Sequence, residues 1–146
     1  MLESRTIEST MDFLKSLTTA ASGLKAQSSR MRVIAENIAN AESAPTKPGG
    51  EPYRRKIPTF SHQIDRETGA SLVETGRIRR DTSPFRTKHD PGNPAANAQG
   101  DVSLPNVNGL IENMDMREAQ RAYEANLNMI TATRRMVAKT LDILKA

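Results

Sequence analysis

The sequence contains no cysteine and no tryptophan, and aromatic residues make up only 3% of its 146 positions. The absence of cysteine excludes disulfides, thiolate metal sites and a cysteine nucleophile. Little apolar area is available for a core, because hydrophobic residues account for 36% of the chain and the mean hydropathy is −0.59. We therefore predict a marginally stable monomer whose folding is completed by burial against partners.

Long apolar runs are also missing from the sequence. No stretch reaches the roughly 18 apolar residues of a membrane span. The first residues lack the charged and apolar regions of a cleaved secretory signal. A second methionine, Met11, directly precedes the first amphipathic segment. We therefore interpret residues 1–10 as a tail or a start-site extension.

The N-terminal part of the chain carries apolar residues at a seven-residue spacing. The main line consists of Leu17, Leu24, Met31 and Ile38. Leu14 begins a second line of mostly small residues, and Ile34 widens the apolar stripe. This spacing predicts a long amphipathic helix from about residue 13 to residue 40. Pro45 ends it, which gives an N-terminal helical segment over residues 11–43.

The C-terminal part repeats the same spacing more clearly. Its main line consists of Met116, Tyr123, Ile130, Val137 and Leu144. Leu127 and Leu141 lie on the same face, and Asn126 adds a polar position beside it. Polar positions at a helix seam cost stability but fix register and partner choice. Because no Gly or Pro occurs from residue 110 onward, we predict a second helix over residues 109–146.

The middle section, residues 44–108, is rich in proline, glycine and charge. Alternation over residues 53–59 predicts an edge strand that contains Pro58, and residues 72–73 and 77–79 show weaker β patterns. Dense turn signals over residues 91–106 leave no room for a long element. The predicted fold is therefore mainly α, with long N- and C-terminal helices paired as an antiparallel or coiled-coil-like α-domain and a small β or irregular middle section.

Catalytic and metal chemistry find little support in the sequence. His62 and His89 have no second histidine at metal-ligand spacing, and the pair His89-Asp90 before Pro91 is better explained as part of a turn. No nucleophile elbow, phosphate-binding loop or dinucleotide-binding glycine motif occurs. We therefore predict no enzymatic activity, no cofactor and no metal site.

The net charge of +4 results from 21 basic and 17 acidic residues. The arginines stand in small groups, and phosphate-binding groups of this kind are typical of nucleic-acid-binding proteins. The alternative function is therefore a basic coiled-coil nucleic-acid-binding or regulatory module. Against it, the acidic residues are interspersed with the basic ones and few aromatic residues are present for base stacking. We predict no nucleic-acid partner.

Two asparagines stand near the end of the first helical pattern, where a generic helix surface would more often carry Glu or Lys. Asn37 and Asn40 are three residues apart, and asparagine is a mediocre helix former. They predict specific hydrogen bonds to a helix end or to a facing backbone. Before the second helix, Asn106 or Asn108 is predicted to act as the N-cap.

Several blocks of the sequence resemble a known family. The run Ala20–Gln27, followed by Glu36–Ala41, is similar to the N-terminal signature of bacterial flagellar rod and hook axial proteins. Further blocks resemble the proximal rod members of that family, namely Thr46–Lys56, Asp90–Gly100, Pro105–Asn108 and Ala122–Asn126. The resemblance covers nearly all of residues 11–146, and its specificity comes from the order of the blocks. Asp101 departs from the pattern, since an aromatic residue is usual there.

The resemblance implies a structural subunit of the flagellar rod, with no catalytic residues. It implies that both terminal helices pack side by side in the wall of a tube. The implied partners are copies of the chain, other proximal and distal rod proteins, the junction protein of the membrane ring and export apparatus, and the flagellar type III export machinery. The implied location is the basal body, in the rod that crosses the periplasm, after export from the cytoplasm without a cleaved signal.

The periodic lines and the asparagines together predict the surface through which such a subunit assembles. We expect this assembly interface to contain Leu14, Leu17, Leu24, Met31, Ile34, Asn37, Ile38, Asn40, Met116, Tyr123, Asn126, Leu127, Ile130, Val137, Leu141 and Leu144.

Overall fold

The computed structural model describes the backbone of residues 2–145 and the side chains of residues 11–143. Long helices occupy both ends of the chain, and short strands lie between them. In chain order the elements are α1 (Leu2–Ala39), β1 (Lys56–Ile57), β2 (Phe60–Ile64), β3 (Ser71–Thr75), β4 (Arg79–Arg80), β5 (Arg86–His89), β6 (Asp101–Leu104) and α2 (Gly109–Lys145). The two helices pack together, so the predicted mainly α fold with a small β middle section is confirmed.

Helix α1 begins at Leu2, earlier than the predicted start near residue 13. The reason is local, because residues 2–12 contain neither glycine nor proline and nothing in them stops a helix. The predicted end is confirmed, since α1 stops at Ala39 and a turn follows before Pro45. In that turn the N–H of Asn40 still reaches the carbonyl oxygen of Glu36 at 3.1 Å.

Helix α2 begins at Gly109, as predicted. Asn108 caps it, because its Oδ1 accepts hydrogen bonds from the N–H groups of Leu110 at 3.0 Å and Ile111 at 3.4 Å. This result confirms the prediction that Asn106 or Asn108 caps the helix, and it identifies Asn108 as the N-cap. Asn106 has another role, since its side chain binds the backbone of the middle section.

The strands form three separate antiparallel pairs, β1 with β4, β2 with β3, and β5 with β6. The weak patterns at residues 72–73 and 77–79 predicted β3 and part of β4, but β2, β5 and β6 were missed. In β2 the polar residues Ser61, His62 and Gln63 hide the alternation. Strand β6 follows Gly100, whose φ of 82° supplies a turn that other residues rarely adopt.

The chain divides into two compact units, and both helices run through both of them. One unit contains α1 up to Ser29, the hairpin segment Phe60–Gly76 and α2 from Ala119 onward. The other contains Arg30–Thr59 and Arg77–Glu118. The predicted division into residues 1–10, 11–43, 44–108 and 109–146 stays a prediction.

Within the second unit, a small apolar cluster forms around β6. Val102 and Leu104, on one face of the strand, pack with Ala95, and Ala96 lies against them. The alternation of Asp101–Leu104 therefore fits a strand with one buried face. Within the described residues, no helix is long and apolar enough to cross a membrane.

Candidate assembly interface

The buried positions of the two helices are occupied mostly by small and polar residues, arranged in lines. On α1 they include Ala20, Ile34 and Asn37, and on α2 Glu112, Ala119 and Thr133. On α2, Glu112 and Ala119 are seven residues apart and Thr133 follows fourteen residues after Ala119. Asn126 lies midway between Ala119 and Thr133 and belongs to the same line. The helices are antiparallel, because Arg30 pairs with Glu118 at 3.4 Å while Asn37, further along α1, bonds to Glu112. We call these lines the helix seam.

The two helices approach each other closely at Gly23 of α1. A Cβ atom added there would lie 2.8 Å from Oδ1 and 2.9 Å from Nδ2 of Asn126 on α2. Asn126 is itself held, since its Nδ2 donates a hydrogen bond to the Ala122 carbonyl oxygen at 2.9 Å. Gly23 therefore serves close packing, although glycine costs a helix interior roughly 1 kcal/mol relative to alanine.

This contact predicts coupling between the two positions. We expect Gly23→Ala to bring no gain in the free energy of unfolding in the natural chain, because the new methyl displaces Asn126. In an Asn126→Ala background the same change should stabilise by about 0.5–1 kcal/mol. Urea unfolding of the four chains measures the coupling. Gly109→Ala serves as a control, because nothing lies within 4 Å of a Cβ there, and equal effects of Gly23→Ala in both backgrounds would contradict the contact.

The second unit contains a buried polar cluster built around Asn37. Its Oδ1 accepts hydrogen bonds from the Lys56 backbone N–H and the Tyr53 hydroxyl, each at 2.9 Å. Its Nδ2 donates to the Lys56 carbonyl oxygen at 2.8 Å and to Glu112 Oε2 at 3.0 Å. The predicted bond to a facing backbone is thus confirmed. Asn40 confirms the other form of the prediction, since its Nδ2 donates to the Glu36 carbonyl oxygen near the helix end at 2.8 Å.

Glu112 is fully buried, and Arg55 neutralises it. The Arg55 Nε lies 2.5 Å from Glu112 Oε1, and the other guanidinium nitrogens lie 3.5 Å from Asp115 and 3.7 Å from Asp81. Burial lowers the pKa of Arg55, but the hydrogen bond and charge of Glu112 outweigh this effect and the net shift is upward. Hydrogen bonds from Ser83 hold the pKa of Asp81 below its usual value. The cluster therefore keeps its charges paired in a buried site.

Two further side chains tie the middle section to the helix ends. Asn106 accepts a hydrogen bond from the Arg55 N–H at 2.8 Å and donates to the Asp81 carbonyl oxygen at 3.2 Å. Arg86 donates to the carbonyl oxygens of Ala41 at 2.7 Å and Pro105 at 3.0 Å. These bonds satisfy backbone groups that follow α1 and precede α2.

The phenol of Tyr53 reports on the buried cluster. Burial raises the pKa of Tyr53 from 10.0 to about 12, with contributions from Glu36 and Glu112 and an opposing effect of Arg80. Because the folded chain favours the neutral phenol, the stability from this group is complete below pH 10 and is lost as the pH rises towards about 12.

We therefore expect Tyr53 to ionise at about pH 12 in the folded chain. The chain has two tyrosines, so a Tyr123→Phe variant leaves Tyr53 alone to be followed by tyrosinate absorbance. Adding Asn37→Ala removes the hydroxyl's acceptor and should lower the midpoint. A midpoint at the value of free tyrosine in the folded Tyr123→Phe chain would show that the phenol is not held in the cluster.

The predicted interface residues occupy a different part of the helix surface from most of the helix seam. Ile34 and Asn37 are buried. Leu14, Leu127 and Leu141 are exposed, with 47%, 46% and 51% of their surface accessible. Leu144 lies outside the residues whose side chains are described. The others are partly buried, namely Leu17, Leu24, Met31, Ile38, Asn40, Met116, Tyr123, Asn126, Ile130 and Val137.

In the first unit Leu17 and Leu127 lie on the sides of their helices that point away from the groove beside the β2–β3 hairpin. Thr19 of α1 and Ala125 of α2 line one groove with the hairpin residues Gly69–Ser71. Leu17 and Leu127 are each two residues away, which is about 200° around a helix. We call Leu17, Leu24, Tyr123 and Leu127 the open apolar face, because these large side chains stay partly or largely accessible.

Comparison with known proteins accounts for this arrangement. Residues 17–43 match a family model described as flagella basal body rod protein, and residues 98–143 match the C-terminal model of the flagellar basal body rod FlgEFG proteins. The flagellar basal-body rod protein FlgC of Agrobacterium fabrum is 51% identical over 127 residues, which cover 87% of this chain and 91% of the relative. This chain belongs to the FlgC family.

Two more distant FlgC proteins support the same assignment. The Yersinia enterocolitica protein is 40% identical over 91% of this chain and 98% of its own length. The Salmonella typhimurium protein is 38% identical over 85% of this chain and 92% of its own length. The chain is accordingly a structural subunit of the rod in the flagellar basal body, and the resemblance seen in the sequence is confirmed.

The chemistry of the described site agrees with a structural role for this FlgC family member. The charged groups of the buried cluster bind one another, and among residues 11–143 no group of three metal-ligating side chains occurs. The relatives are structural proteins, and no catalytic family is indicated. The arrangement fixes the helices and the middle section relative to each other within the second unit.

Sequence reasoning missed several residues of the helix seam and the cluster. Glu112 was overlooked because an acidic residue in the first turn of a helix is common and needs no partner. Arg55 was considered only as a member of a small basic group that could bind phosphate, and no buried partner was predicted for it. A signal did exist for the seam, since Ala20 and Ala119 are small residues that allow close helix contact.

Proposed function

We propose that this chain is a subunit of the proximal rod that polymerises through helix packing with copies of itself and with other rod proteins, and that it is not an enzyme. The observation that carries the proposal is the open apolar face. The helix pair already uses its small and polar lines for internal contact, yet Leu17, Leu24, Tyr123 and Leu127 stay partly or largely accessible. A helix that is apolar on more than one side needs neighbours on more than one side.

The mechanism that follows is mechanical. Neighbouring subunits bury the open apolar face and the residues that continue its lines, Met31, Ile38, Ile130, Val137 and Leu141. Head-to-tail contacts of this type generate helical arrays. Each contact is weak, but the contacts repeat around and along the axis, so torque from the membrane ring passes through their sum to the distal rod and hook.

Export through the flagellar type III machinery, without a cleaved signal, belongs to the same proposal. A subunit that passes through a narrow channel must unfold easily. The small apolar cluster of Ala95, Val102 and Leu104 supports this requirement, because it buries little area at roughly 25 cal/mol per Å². Assembly beside the junction protein of the membrane ring and export apparatus would then supply the missing burial.

Complementation tests the proposal. In a flagellated bacterium that lacks its own FlgC, we expect this chain to restore swimming and to be present in purified basal bodies. The matched control is the chain with Leu24→Asp and Ile130→Asp, which should be exported without entering basal bodies. Full swimming of the double variant would contradict the assignment of Leu24 and Ile130 to the assembly interface. Absence of the natural chain from basal bodies of swimming cells would contradict the proposed function itself.

A further inference from the structure

The second unit contains a polar cleft beside the buried cluster, with a volume of about 380 Å³. Strands β1 and β4 form one side of it, since they contribute Lys56 and Arg80. The rest of the lining comes from α1 and from the chain that precedes β1, and we call the site the Arg80 cleft. Its lining residues are Glu36, Glu51, Pro52, Tyr53, Arg54, Lys56 and Arg80.

Two of the three cations in the Arg80 cleft are already neutralised. Arg54 donates a hydrogen bond to Glu51 at 2.7 Å. Lys56 forms an ion pair with Glu36. In the part of the chain whose side chains are described, no carboxylate pairs with Arg80. The cleft therefore holds one more positive than negative charge, and the exposed guanidinium of Arg80 carries the excess.

The fold places Arg80 directly opposite a second cation, because Lys56 is its partner in the β1–β4 register. Both backbone groups of Lys56 bind the side chain of Asn37. The neighbouring pair is hydrogen-bonded instead, because the Asp81 N–H donates to the Arg55 carbonyl oxygen at 2.8 Å. Lys56 and Arg80 are therefore a non-hydrogen-bonded pair, in which side chains lie closer together. Like charges directly opposite each other destabilise a sheet.

The walls of the Arg80 cleft are held in place in the isolated chain. The bonds between Lys56 and Asn37 fix β1 to α1, and the Tyr53 hydroxyl donates to the same Asn37 side chain at 2.9 Å. The charge of Arg80 opposes the rise in the pKa of Tyr53, so this charge acts on the phenol. A site whose walls are already ordered loses little conformational entropy when it binds a ligand.

A carboxylate is the ligand that this arrangement fits. The guanidinium is a planar fork of N–H donors that binds both oxygens of a carboxylate at once, and such hydrogen bonds are about twice as strong as neutral ones. A carboxylate in the cleft would also offset the repulsion between Arg80 and Lys56. A residue that lowers the stability of the monomer and has no partner within it is typical of a functional site.

We propose that the Arg80 cleft binds an Asp or Glu side chain of a neighbouring rod subunit. A neighbour in the rod presents its carboxylate at a high effective concentration, whereas one exposed guanidinium holds a free anion only weakly. The proposal rests on the proposed rod function and adds a charged contact to the apolar packing of subunits. Such a contact fixes register and partner choice more than it adds affinity.

Carbodiimide cross-linking tests this contact, because the reagent joins an amine to an adjacent carboxylate as an amide and takes up the water that is released. Arg80→Lys keeps the positive charge and introduces the amine. The variant is produced in the bacterium that lacks its own FlgC, and basal bodies and purified monomer are treated in parallel. We expect mass spectrometry to find an amide between position 80 and a carboxylate of another subunit in basal bodies, and no amide between chains in the monomer.

Arg79→Lys provides the matched control. Arg79 is also exposed, but it is the partner of Ile57 and points to the other face of β4. We expect no amide between subunits from this position. Equal yields from both positions, or an amide from position 80 only to its own chain, would overturn the site and leave the rod function standing. If the natural chain is itself absent from basal bodies, the rod function and this contact both fail.

A second variant separates a role in assembly from a role in folding. Arg80→Thr removes the charge that opposes Lys56, and threonine suits a strand. We expect its urea unfolding midpoint to equal or exceed that of the natural chain. The number of basal bodies should fall at least roughly tenfold, the factor that corresponds to about 1.4 kcal/mol. Arg79→Thr should leave the number unchanged, and a lower midpoint for Arg80→Thr or equal numbers for the two variants would contradict the site.

Inorganic phosphate distinguishes a carboxylate of a neighbour from a free anion. An anion that binds the folded chain raises its unfolding midpoint. We expect phosphate to change the midpoints of the natural chain and of Arg80→Thr by the same amount. A rise confined to the natural chain, with no amide between subunits in basal bodies, would assign the cleft to a free anion and overturn the contact with a neighbour.

Discussion

Replacing Glu112 with alanine should lower the free energy of unfolding by about 3–5 kcal/mol, because it leaves Arg55 and Asn37 without their buried partner. The whole stability of a domain is only about 5–15 kcal/mol. Glu112 has no exposed surface and binds both side chains directly. Urea unfolding followed by circular dichroism measures the change, and we expect the variant to be largely unfolded under mild denaturing conditions.

Glu118→Ala provides the matched control on the same helix. Glu118 also pairs with an arginine, Arg30, at 3.4 Å, but 70% of its side chain is exposed. An exposed pair of this kind contributes about 0–1 kcal/mol. The double replacement Glu112→Leu with Arg55→Met should recover much of the loss, since it removes both charges. Equal small effects of Glu112→Ala and Glu118→Ala would show that the buried cluster does not hold the fold.

Leu127→Asp should abolish assembly into basal bodies and swimming while leaving the isolated chain folded. The side chain is 46% exposed in the monomer, so its replacement there changes stability little. In the array the same position would bury a charge with no partner, and it would lose roughly 1.5–3 kcal/mol of apolar burial in every subunit. Swimming, the content of purified basal bodies and the exported fraction measure these effects.

Asn128→Asp introduces the same charge one residue away, on the polar face of α2. We expect this control to assemble normally, because Asn128 is exposed and its neighbours Glu124 and Thr131 are exposed polar residues. Normal swimming of the Leu127→Asp strain, or loss of swimming in both strains, would contradict the role of the open apolar face. Unfolding of purified Leu127→Asp would instead place Leu127 in the fold of the monomer.

The sequence allowed prediction of the helices because their signals are local and repeated. Apolar residues at Leu17, Leu24, Ile130 and Val137 fix helical periodicity, and Asn108 supplies a cap whose mechanism is confined to one turn. The early start of α1 at Leu2 was missed because it depends on the absence of a stop signal, which is weaker evidence than the presence of one.

Which lines of the helices face each other could not be derived from periodicity alone. Periodicity favours the most apolar line as the internal contact, but the buried helix positions of the first unit include Ala20, Ala119 and Thr133, and Gly23 lies against Asn126. Small residues allow closer approach, and the larger apolar residues are then left for other contacts. Which line becomes the internal contact depends on the whole molecule and its neighbours, so the residues of one line do not determine it.

The middle section was hard to predict because long-range polar contacts hold it in place. Arg55 meets Glu112, which is 57 positions away in the sequence, and Asn106 meets the Arg55 backbone. Propensity carries no information about such pairs. Asn37 was the exception, since an amide in a helical stripe is unusual enough to predict a specific partner, and the structure supplies that partner in the backbone of Lys56.

Sedimentation velocity on the purified chain, alone and mixed with another proximal rod protein of the same organism, tests the central claim most directly. If the open apolar face is completed only by neighbours, the chain alone sediments as a monomer, and it gains mass and helix content on mixing. Leu127→Asp should prevent the gain. A stable dimer of the chain alone, with no further mass on mixing, would contradict the account and favour a self-contained coiled-coil module.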